Sequence, residues 1–186
     1  GWTTWLVSAV DKRVTALAPM VIDVLNMERQ LQHQVAVWGE PSEQISDYTE
    51  RNLHEQLKTE AGQKLQDIID PYRYRTRITQ PKLIILGTND PYWPLDALNF
   101  YWNDLVGPSY VLYLPNENHS ARDYKRVLAS VIALHHHAAF GTPLPTLKWR
   151  FVETGDMILL HVYSDIEPRC VRVWKTASKT RDFRTA

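Results

Sequence analysis

Two side chains of the sequence, Asp90 and His119, could act together as an acid–base pair. Asp90 closely follows the apolar run 82–86, and His119 closely follows the apolar run 109–114. A carboxylate can accept the N–H of an imidazole, fix its tautomer and stabilise the imidazolium that forms when the ring takes a proton. The pair therefore predicts proton transfer at a nucleophile.

Each of these residues also has a simpler explanation. The sequence Asn-Asp-Pro at 89–91 is a common turn, and a histidine just before a helix is usually an ordinary surface residue. The combination is more specific, because the carboxyl ends of neighbouring parallel strands meet at one edge of a sheet, where ligands of α/β proteins bind. The order along the chain, acid before histidine, is also the order of the catalytic residues in α/β-hydrolases.

The elements that position this pair alternate between strand and helix. Three apolar runs have the composition of buried strands: 14–22, 82–86 and 109–114. Helices are predicted over 2–10 and 24–39 from apolar residues three and four positions apart, and two further helices over 95–105 and 120–140, the last from the capping spacing of Ser120 and Asp123. This alternation indicates the α/β class, with an open parallel sheet and flanking helices. The polar segment at about 41–70 predicts a helical insertion on the surface of that domain.

The pattern changes after Gly141. Residues 147–151 alternate between apolar and charged side chains, and further strands are predicted over 157–163 and 170–176. Three consecutive strands predict the beginning of a β-sandwich, so the sequence divides into residues 1–141 and 142–186. Trp149 and Trp174 are expected to be buried in that sandwich, the alternative being a surface that binds carbohydrate.

The serine that this chemistry requires is expected before Gly1. In α/β-hydrolases the nucleophile precedes the acid and the histidine, on a sharp turn between a strand and a helix. No serine of the sequence occupies such a turn, whereas Gly1 has the position of the last glycine of one. The chain is therefore expected to be the C-terminal part of a hydrolase domain, without nucleophile or oxyanion hole. Tyr92 and Trp93 closely follow the acid and are expected to line the substrate cleft.

Composition narrows the possible functions. The 21 Lys and Arg balance the 21 Asp and Glu, so no net field attracts nucleic acid, and no apolar run is long enough to span a membrane. The three histidines at 135–137 cannot converge on one metal ion, because consecutive helix positions point about 100° apart. No metal and no cofactor are expected, and a single cysteine, Cys170, excludes an internal disulfide.

Stretches along the whole sequence resemble the PhoPQ-activated pathogenicity-related proteins. The most extensive are Gly-Trp-Thr-Thr-Trp-Leu at 1–6, Pro-Met-Val-Ile-Asp-Val-Leu-Asn-Met at 19–27, Asp-Pro-Tyr-Arg-Tyr-Arg at 70–75, the run at 81–93, Leu-Pro-Asn-Glu-Asn-His at 114–119 and Thr-Arg-Asp-Phe-Arg at 180–184. The resemblance implies an α/β-hydrolase in which Asp90 is the triad acid, His119 is the triad base, and a Ser-Lys-Arg-Gly turn ends at Gly1. Members of this family are commonly exported in bacteria, which implies a secreted or periplasmic location.

These observations predict a serine hydrolase that cleaves an ester, amide or peptide bond in a small-molecule or peptide substrate. The alternative is a non-catalytic secreted signalling or binding protein on the same scaffold. The sequence leaves the substrate and the oligomeric state open. Because a sheet of three strands leaves one long edge bare, the chain alone is expected to aggregate and to be inactive.

Overall fold

A computed structural model describes residues 1–185, and a small parallel sheet lies at its centre. Strand β1 (Lys82–Gly87) pairs in parallel with β2 (Ser109–Leu114), so that Lys82 lies opposite Ser109 and Gly87 opposite Leu114. Every residue of β1 is buried, whereas β2 is fully buried only at Leu114. Strand β1 is therefore interior, and β2 forms an edge of the sheet within the described residues.

The side chains of β1 alternate between two apolar cores, one on each face of the sheet. Ile84 and Leu86 pack into the first core with Trp5, Leu17, Leu25, Ile78, Leu98 and Tyr101. Leu83 and Ile85 pack into the second with Leu114, Ala121, Val127 and Leu134. Because both faces of this strand are buried, its sequence is a continuous apolar run, as is usual for the parallel strands of α/β proteins.

The segment 14–22 runs along the other side of β1, but it is not the continuous strand that its composition predicts. Leu17 and Pro19 accept hydrogen bonds from N–H groups of β1, and Val21 donates one to the carbonyl of Ile85 at 2.8 Å. Only two isolated parallel bridges form, Leu17 with Lys82 and Met20 with Ile85. Pro19 has no N–H to donate, and the φ of +48° at Val21 ends the extended conformation.

Helices α1 (Trp2–Val10) and α2 (Met27–Trp38) lie close to their predicted positions. Trp5 of α1 is fully buried against the sheet. Helix α2 ends at Gly39, whose φ of +84° is a left-handed conformation that favours glycine.

Asp70 joins the beginning of α2 to a later part of the chain. Its buried carboxylate accepts the N–H groups of Met27 and Tyr72, both at 2.9 Å, and that of Asn26 at 3.3 Å. Burial raises the pKa of Asp70, while these hydrogen bonds to the ionised form oppose the rise. A negative charge at the N-terminus of α2 also suits the helix dipole.

The predicted insertion is a series of short helices. It contains a 3₁₀ turn at Glu43–Ile45, α3 (Ser46–Thr49), α4 (Leu53–Gln56) and α5 (Glu60–Ile69), and a 3₁₀ segment follows at Pro71–Arg77. Ile45 and Leu57 are buried in a cluster with Val24, Met27, Leu31, Trp93 and Ala97. The insertion is thus packed against α2 and the loop after β1, as well as exposed on its outer side.

The prediction of one helix over 95–105 is wrong. This segment forms two 3₁₀ turns, Ala97–Phe100 and Trp102–Asp104, whose N–H groups bond to carbonyls three residues back. Leu98 and Tyr101, three positions apart, are both buried in the first core. The 3₁₀ turn places such side chains on one side, which an α-helix does less well.

Helix α6 (Tyr124–Phe140) begins four residues later than predicted. The side chain of Asp123 caps it by accepting the N–H of Arg126 at 3.1 Å, and Gly141 ends it with a φ of +69°. Ala121 has a φ of +45°, which prevents the helix from starting earlier. No helix formed by residues 1–185 is both long and apolar enough to cross a membrane.

The last two strands form a hairpin. Strand β3 (Leu147–Thr154) pairs in antiparallel fashion with β4 (Met157–Ser164), with Phe151 opposite Leu160. The predicted third strand at 170–176 is wrong, because those residues are exposed and form no strand. The predicted β-sandwich is not confirmed.

The expectation that Trp149 and Trp174 are buried is also wrong. They are 46% and 53% exposed. A sandwich core needs two sheets whose inner faces cover each other. Within the described residues the hairpin has no second sheet over it, so its tryptophans stay at the surface.

Candidate active site

Asp90 and His119 lie together at the carboxyl ends of β1 and β2. Nδ1 of His119 is 2.9 Å from Oδ2 and 3.1 Å from Oδ1 of Asp90. The side chain of Asp90 is 9% exposed and that of His119 is 36% exposed, so the carboxylate is enclosed while the ring reaches solvent. When Nδ1–H is donated to the carboxylate, the lone pair of Nε2 can take a proton from a group in front of the ring.

Buried polar side chains hold the loop that carries Asp90. The N–H of Tyr92 donates to Oδ1 of Asp90 at 2.8 Å. Gln34 of α2 donates to the carbonyl of Tyr92 at 2.5 Å and accepts the N–H of Ser42 at 3.1 Å. Ser42 in turn donates its hydroxyl to the carbonyl of Pro91 at 2.7 Å. Helix α2 and the start of the insertion therefore fix the direction of the carboxylate.

The loop that carries His119 packs closely on the end of β1. A Cβ at Gly87 would lie 2.3 Å from the carbonyl oxygen of Glu117 and 2.7 Å from that of Asn118. Only glycine allows this approach. Two residues beyond His119, Ala121 has a positive φ of +45°, a strained conformation for a residue with a Cβ. The position of the imidazole thus depends on close backbone packing.

A cleft of about 210 Å³ opens beside His119. The ring of Tyr92 stacks on the imidazole, with ring centroids 3.9 Å apart. Trp93 forms part of the wall and is otherwise buried in the core. Tyr92 and Trp93, which are predicted to line a substrate cleft, both border this one, together with Trp2, Ile22, Gln44, Ile45, Asp47 and Tyr48.

A third titratable side chain, the carboxyl group of Asp23, lies behind the pair. It is 5% exposed, and its Oδ1 has no hydrogen-bond partner among the described residues. A cavity of about 10 Å³ separates it from Asp90 and Tyr113, about the least space that holds one water molecule. The pKa of Asp23 is raised to about 7, chiefly by burial, and the negative charges of Asp90 and Asp96 contribute to the rise.

The position of Asp23 in the sequence is also a signal for this site. The residue directly follows the apolar run 14–22. The rule that singles out Asp90 and His119, a polar side chain just after a strand, applies to it equally.

A second His–Asp pair has no such signal. Nε2 of His33, on α2, lies 2.6 Å from Oδ1 of Asp96, and Asp96 also forms an ion pair with Arg181. Burial would raise the pKa of Asp96, but the hydrogen bond and charge of His33 and the charge of Arg181 outweigh it and lower the pKa. His33 packs edge-on against Phe100, and the pair does not line the cleft beside His119.

Residues 183 and 184, near the end of the chain, contact the loop that carries Asp90 and helix α2. The side-chain amide of Asn89 donates to the carbonyl of Phe183 at 2.9 Å, and the guanidinium of Arg184 lies 4.2 Å from the centre of the Trp38 ring. These residues therefore contact the α/β part of the molecule.

The geometry suits acid–base chemistry carried by side chains. Within residues 1–185, no three His, Cys, Asp or Glu side chains are placed to hold one metal ion. Of the three adjacent histidines on α6, His135 and His136 are exposed, and Nδ1 of His137 lies 2.8 Å from the carbonyl oxygen of Thr142.

Comparison with known proteins relates the whole chain to one family. The sequence model of the PhoPQ-activated pathogenicity-related proteins matches residues 1–184. The chain is 31% identical over 195 residues to autocrine proliferation repressor protein A of Dictyostelium discoideum, a match that covers 99% of this chain and 40% of that protein. The chain thus spans less than half the length of this relative.

Solved structures with a similar fold include two acetyl xylan esterases. The acetyl xylan esterase of Paenibacillus sp. R4 has a TM-score of 0.54 and 15% identity, over 71% of this chain and 40% of that one. Acetyl xylan esterase 1 of Thermoanaerobacterium sp. JW/SL YS485 has a TM-score of 0.49 and 17% identity, over 70% of this chain and 41% of that one. The first likeness indicates an α/β-hydrolase-like scaffold, and at such low identity it concerns the fold alone.

Proposed function

The chain belongs to the PhoPQ-activated pathogenicity-related protein family, and from this premise we propose that it carries the acid and the base of a serine hydrolase that cleaves an ester or amide bond. The observation that carries the proposal is the 2.9 Å contact between Asp90 and His119 at the ends of two neighbouring parallel strands. The side chain of His119 also borders a cleft, which leaves space for a substrate beside it.

In the proposed reaction, the hydroxyl of a serine located before Gly1 attacks the carbonyl carbon of the substrate. Nε2 of His119 takes the hydroxyl proton and then gives it to the leaving alcohol or amine. Water next attacks the acyl-enzyme with the same ring as base, which releases the acid and restores the serine. Asp90 stays ionised throughout, holds Nδ1–H and stabilises the imidazolium.

The surroundings of Gly1 support a nucleophile just before it. A Cβ at this position would lie 2.2 Å from Cγ2 of Ile22 and 2.7 Å from the carbonyl oxygen of Met20. Helix α1 therefore begins in close contact with the segment that leads to Asp23. A glycine that permits such close packing is what the turn between the nucleophile strand and its helix requires.

Labelling with a fluorophosphonate tests the proposal, using the longer protein that contains this chain and the expected serine. His119→Ala should slow labelling by about 10³-fold, and Asp90→Asn should also slow it, because the serine loses its base or the base loses its orientation. The matched control is His33→Ala, which removes the other His–Asp pair and should leave labelling intact. Equal labelling of wild type and His119→Ala would contradict the triad, as would loss of labelling in the His33 variant alone.

We also propose that residues 1–141 complete a hydrolase domain, that a second domain begins within 142–186, and that the protein is exported. The change from alternating helices and strands to a hairpin after Gly141 supports the division. The word "autocrine" in the name of the Dictyostelium relative supports export. Cell fractionation checks the location, since the protein should be absent from the cytoplasmic fraction.

A non-catalytic signalling protein is the second candidate, and the name of the Dictyostelium relative, a proliferation repressor, is what favours it. The two candidates differ in their need for the pair. A binding protein should keep its biological activity when Asp90→Asn and His119→Ala are combined, whereas a hydrolase should lose it. The presence of both side chains in contact favours the hydrolase, because recognition of a partner does not require an acid–base pair behind a cleft.

A further inference from the structure

The cleft beside His119 has an uneven chemical lining. Its walls are largely aromatic, from Trp2, Tyr48, Tyr92 and Trp93. The one carboxylate among its lining residues is Asp47, on α3, and within the described chain neither lysine nor arginine lines it. Asp47 and Tyr48 both come from the insertion, opposite the loop that carries Tyr92.

The electrostatics of these groups favour a positive charge in the cleft. Asp47 is an exposed carboxylate. Burial raises the pKa of Tyr48, and the nearby negative charge of Asp47 raises it further, so the phenol stays neutral. The carboxylate of Asp90 is already in contact with His119. Aromatic faces attract cations through their quadrupoles, and tyrosine and tryptophan do so more strongly than phenylalanine.

The size of the cleft limits what it can hold. The cleft has a volume of about 210 Å³, which lies below the roughly 300–1,000 Å³ of pockets that enclose a drug-sized ligand. That is enough for one acyl group or one amino-acid side chain, and too little for an extended oligomer. The charged and aromatic groups would therefore contact the part of the substrate next to the bond that is cleaved.

From this arrangement we infer that the substrate carries a cationic group close to its scissile bond, which lies between the aromatic faces of Tyr48 and Tyr92 and pairs with Asp47. This inference rests on the proposed hydrolase function and adds to it a class of substrate: esters or amides of basic amino acids or of other short amines. Asp47 acts here in binding, at a distance from the proton transfer between the serine and His119.

Three esters with matched side chains test the inference in the longer protein that contains this chain. They are the p-nitrophenyl esters of Nα-acetyl-lysine, Nα-acetyl-norleucine and Nα-acetyl-glutamate, which differ mainly in the charge at the end of the side chain. The lysine ester should be cleaved with a kcat/KM about tenfold above that of the norleucine ester, and the glutamate ester should be the poorest. The difference should lie mostly in KM, because the cation is bound equally in the ground state and the transition state.

Substitutions of Asp47 separate charge recognition from general effects. Asp47→Asn should reduce the preference for the lysine ester over the norleucine ester by about threefold, as expected for an exposed ion pair. Asp47→Lys should reverse the order in favour of the glutamate ester. Glu50→Gln is the matched control, since Glu50 is an exposed carboxylate of the same insertion that does not line the cleft, and it should preserve the wild-type preference.

The outcomes distinguish this inference from the proposed function. If the esters are cleaved in a manner that depends on His119 but the lysine ester is not preferred, or its preference is insensitive to Asp47, the inference is wrong and the hydrolase remains. If none of the three esters is cleaved in a manner that depends on His119, the hydrolase function fails and the inference fails with it.

Discussion

Asp23 and Asp90 are carboxyl groups at the ends of neighbouring segments, but their surroundings differ. Asp90 accepts hydrogen bonds from His119 and from the N–H of Tyr92. Asp23 is enclosed beside Tyr101 and Tyr113, and burial raises its pKa to about 7. At neutral pH a large share of Asp23 is therefore protonated. Two carboxyl groups with different environments can play different roles at one site, one ionised and one neutral.

Asp23 should make the stability of the protein depend on pH in a specific direction. The unfolded carboxyl ionises near pH 3.8, whereas the folded one does so only near pH 7. Between these values the folded state binds more protons, so the free energy of unfolding falls as pH rises, by about 4 kcal/mol over the whole interval. Asp23→Asn removes this contribution, and its stability relative to wild type should grow from pH 5 to pH 8. Urea unfolding at several pH values measures the difference.

The control for this prediction is Asp156→Asn, which makes the same chemical change in the exposed turn between β3 and β4. Its stability should run parallel to that of wild type across the same pH range. If Asp23→Asn also ran parallel to wild type, the carboxyl of Asp23 would be ionised at low pH in the folded state, and its assignment as a neutral acid would be incorrect.

At the scale of elements, the loop that carries Asp90 and the loop that carries His119 pack closely at Gly87, and the N–H of Asn89 donates to the carbonyl of Glu117 at 3.0 Å. Gly87 ends β1, and its missing side chain leaves room for the carbonyl groups of Glu117 and Asn118. Asp90 follows three residues later on the same loop. The register of β1 and β2 alone would place both loops at one edge, and these contacts set how near they come.

Gly87→Ala should therefore separate the catalytic pair. The added Cβ must displace the loop of residues 116–118, which carries His119 with it, and overpacking of this kind costs about 1–3 kcal/mol. A displacement of about 1 Å at the base can slow the reaction about 10²-fold, so fluorophosphonate labelling of the longer protein should slow by a comparable factor. The control Gly39→Ala, where no atom lies within 4 Å of the new Cβ, should cost stability through its positive φ and leave the labelling rate unchanged. Normal labelling of Gly87→Ala would show that the loop adapts without moving the imidazole.

An element could be predicted from the sequence where the residues that determine its structure lie within the element itself. β1 and β2 follow from continuous apolar runs, and α6 follows from the capping spacing of Ser120 and Asp123, although the cap is Asp123 and the helix begins four residues later than predicted. The segments 95–105 and 170–176 were predicted wrongly, because the first is shaped by its fit to the core and the second needs a neighbouring strand to pair with. Neither the fit to the core nor the presence of a pairing strand can be inferred from the residues of the segment alone.

The same distinction applies to the site. Asp90 and His119 could be found because each follows a strand, and the geometry of parallel sheets places strand ends together. The contact between His33 and Asp96 joins residues 63 positions apart in elements without a fixed relation, so no pattern in the sequence indicates it. The carboxylate of Asp47 reaches the cleft only through the packing of the insertion on α2, which its apolar residues do not specify in advance.

At the scale of the whole molecule, the α/β part and the hairpin differ in how they bury apolar surface. The first has two cores around β1. The hairpin turns Leu147, Trp149, Phe151, Leu160 and Val162 toward an open groove of about 1110 Å³ whose other wall includes Trp102 and Val111. Phe151 remains 67% exposed. Apolar surface of this extent on a soluble protein commonly mediates association.

The 186-residue chain should therefore associate as its concentration rises, and the groove-facing side of the hairpin should be responsible. Phe151→Thr keeps a residue that favours strands but removes the ring, and it should weaken association about tenfold or more, in line with the apolar area that phenylalanine buries. Leu159→Thr is the control, because Leu159 is also exposed and lies on the opposite face of the same hairpin. Light scattering and sedimentation over a range of concentrations measure both. Equal effects of the two substitutions would mean that association depends on exposed apolar area in general and not on the groove. A chain that stays monomeric at high concentration would contradict the prediction and mean that the groove is stable in water.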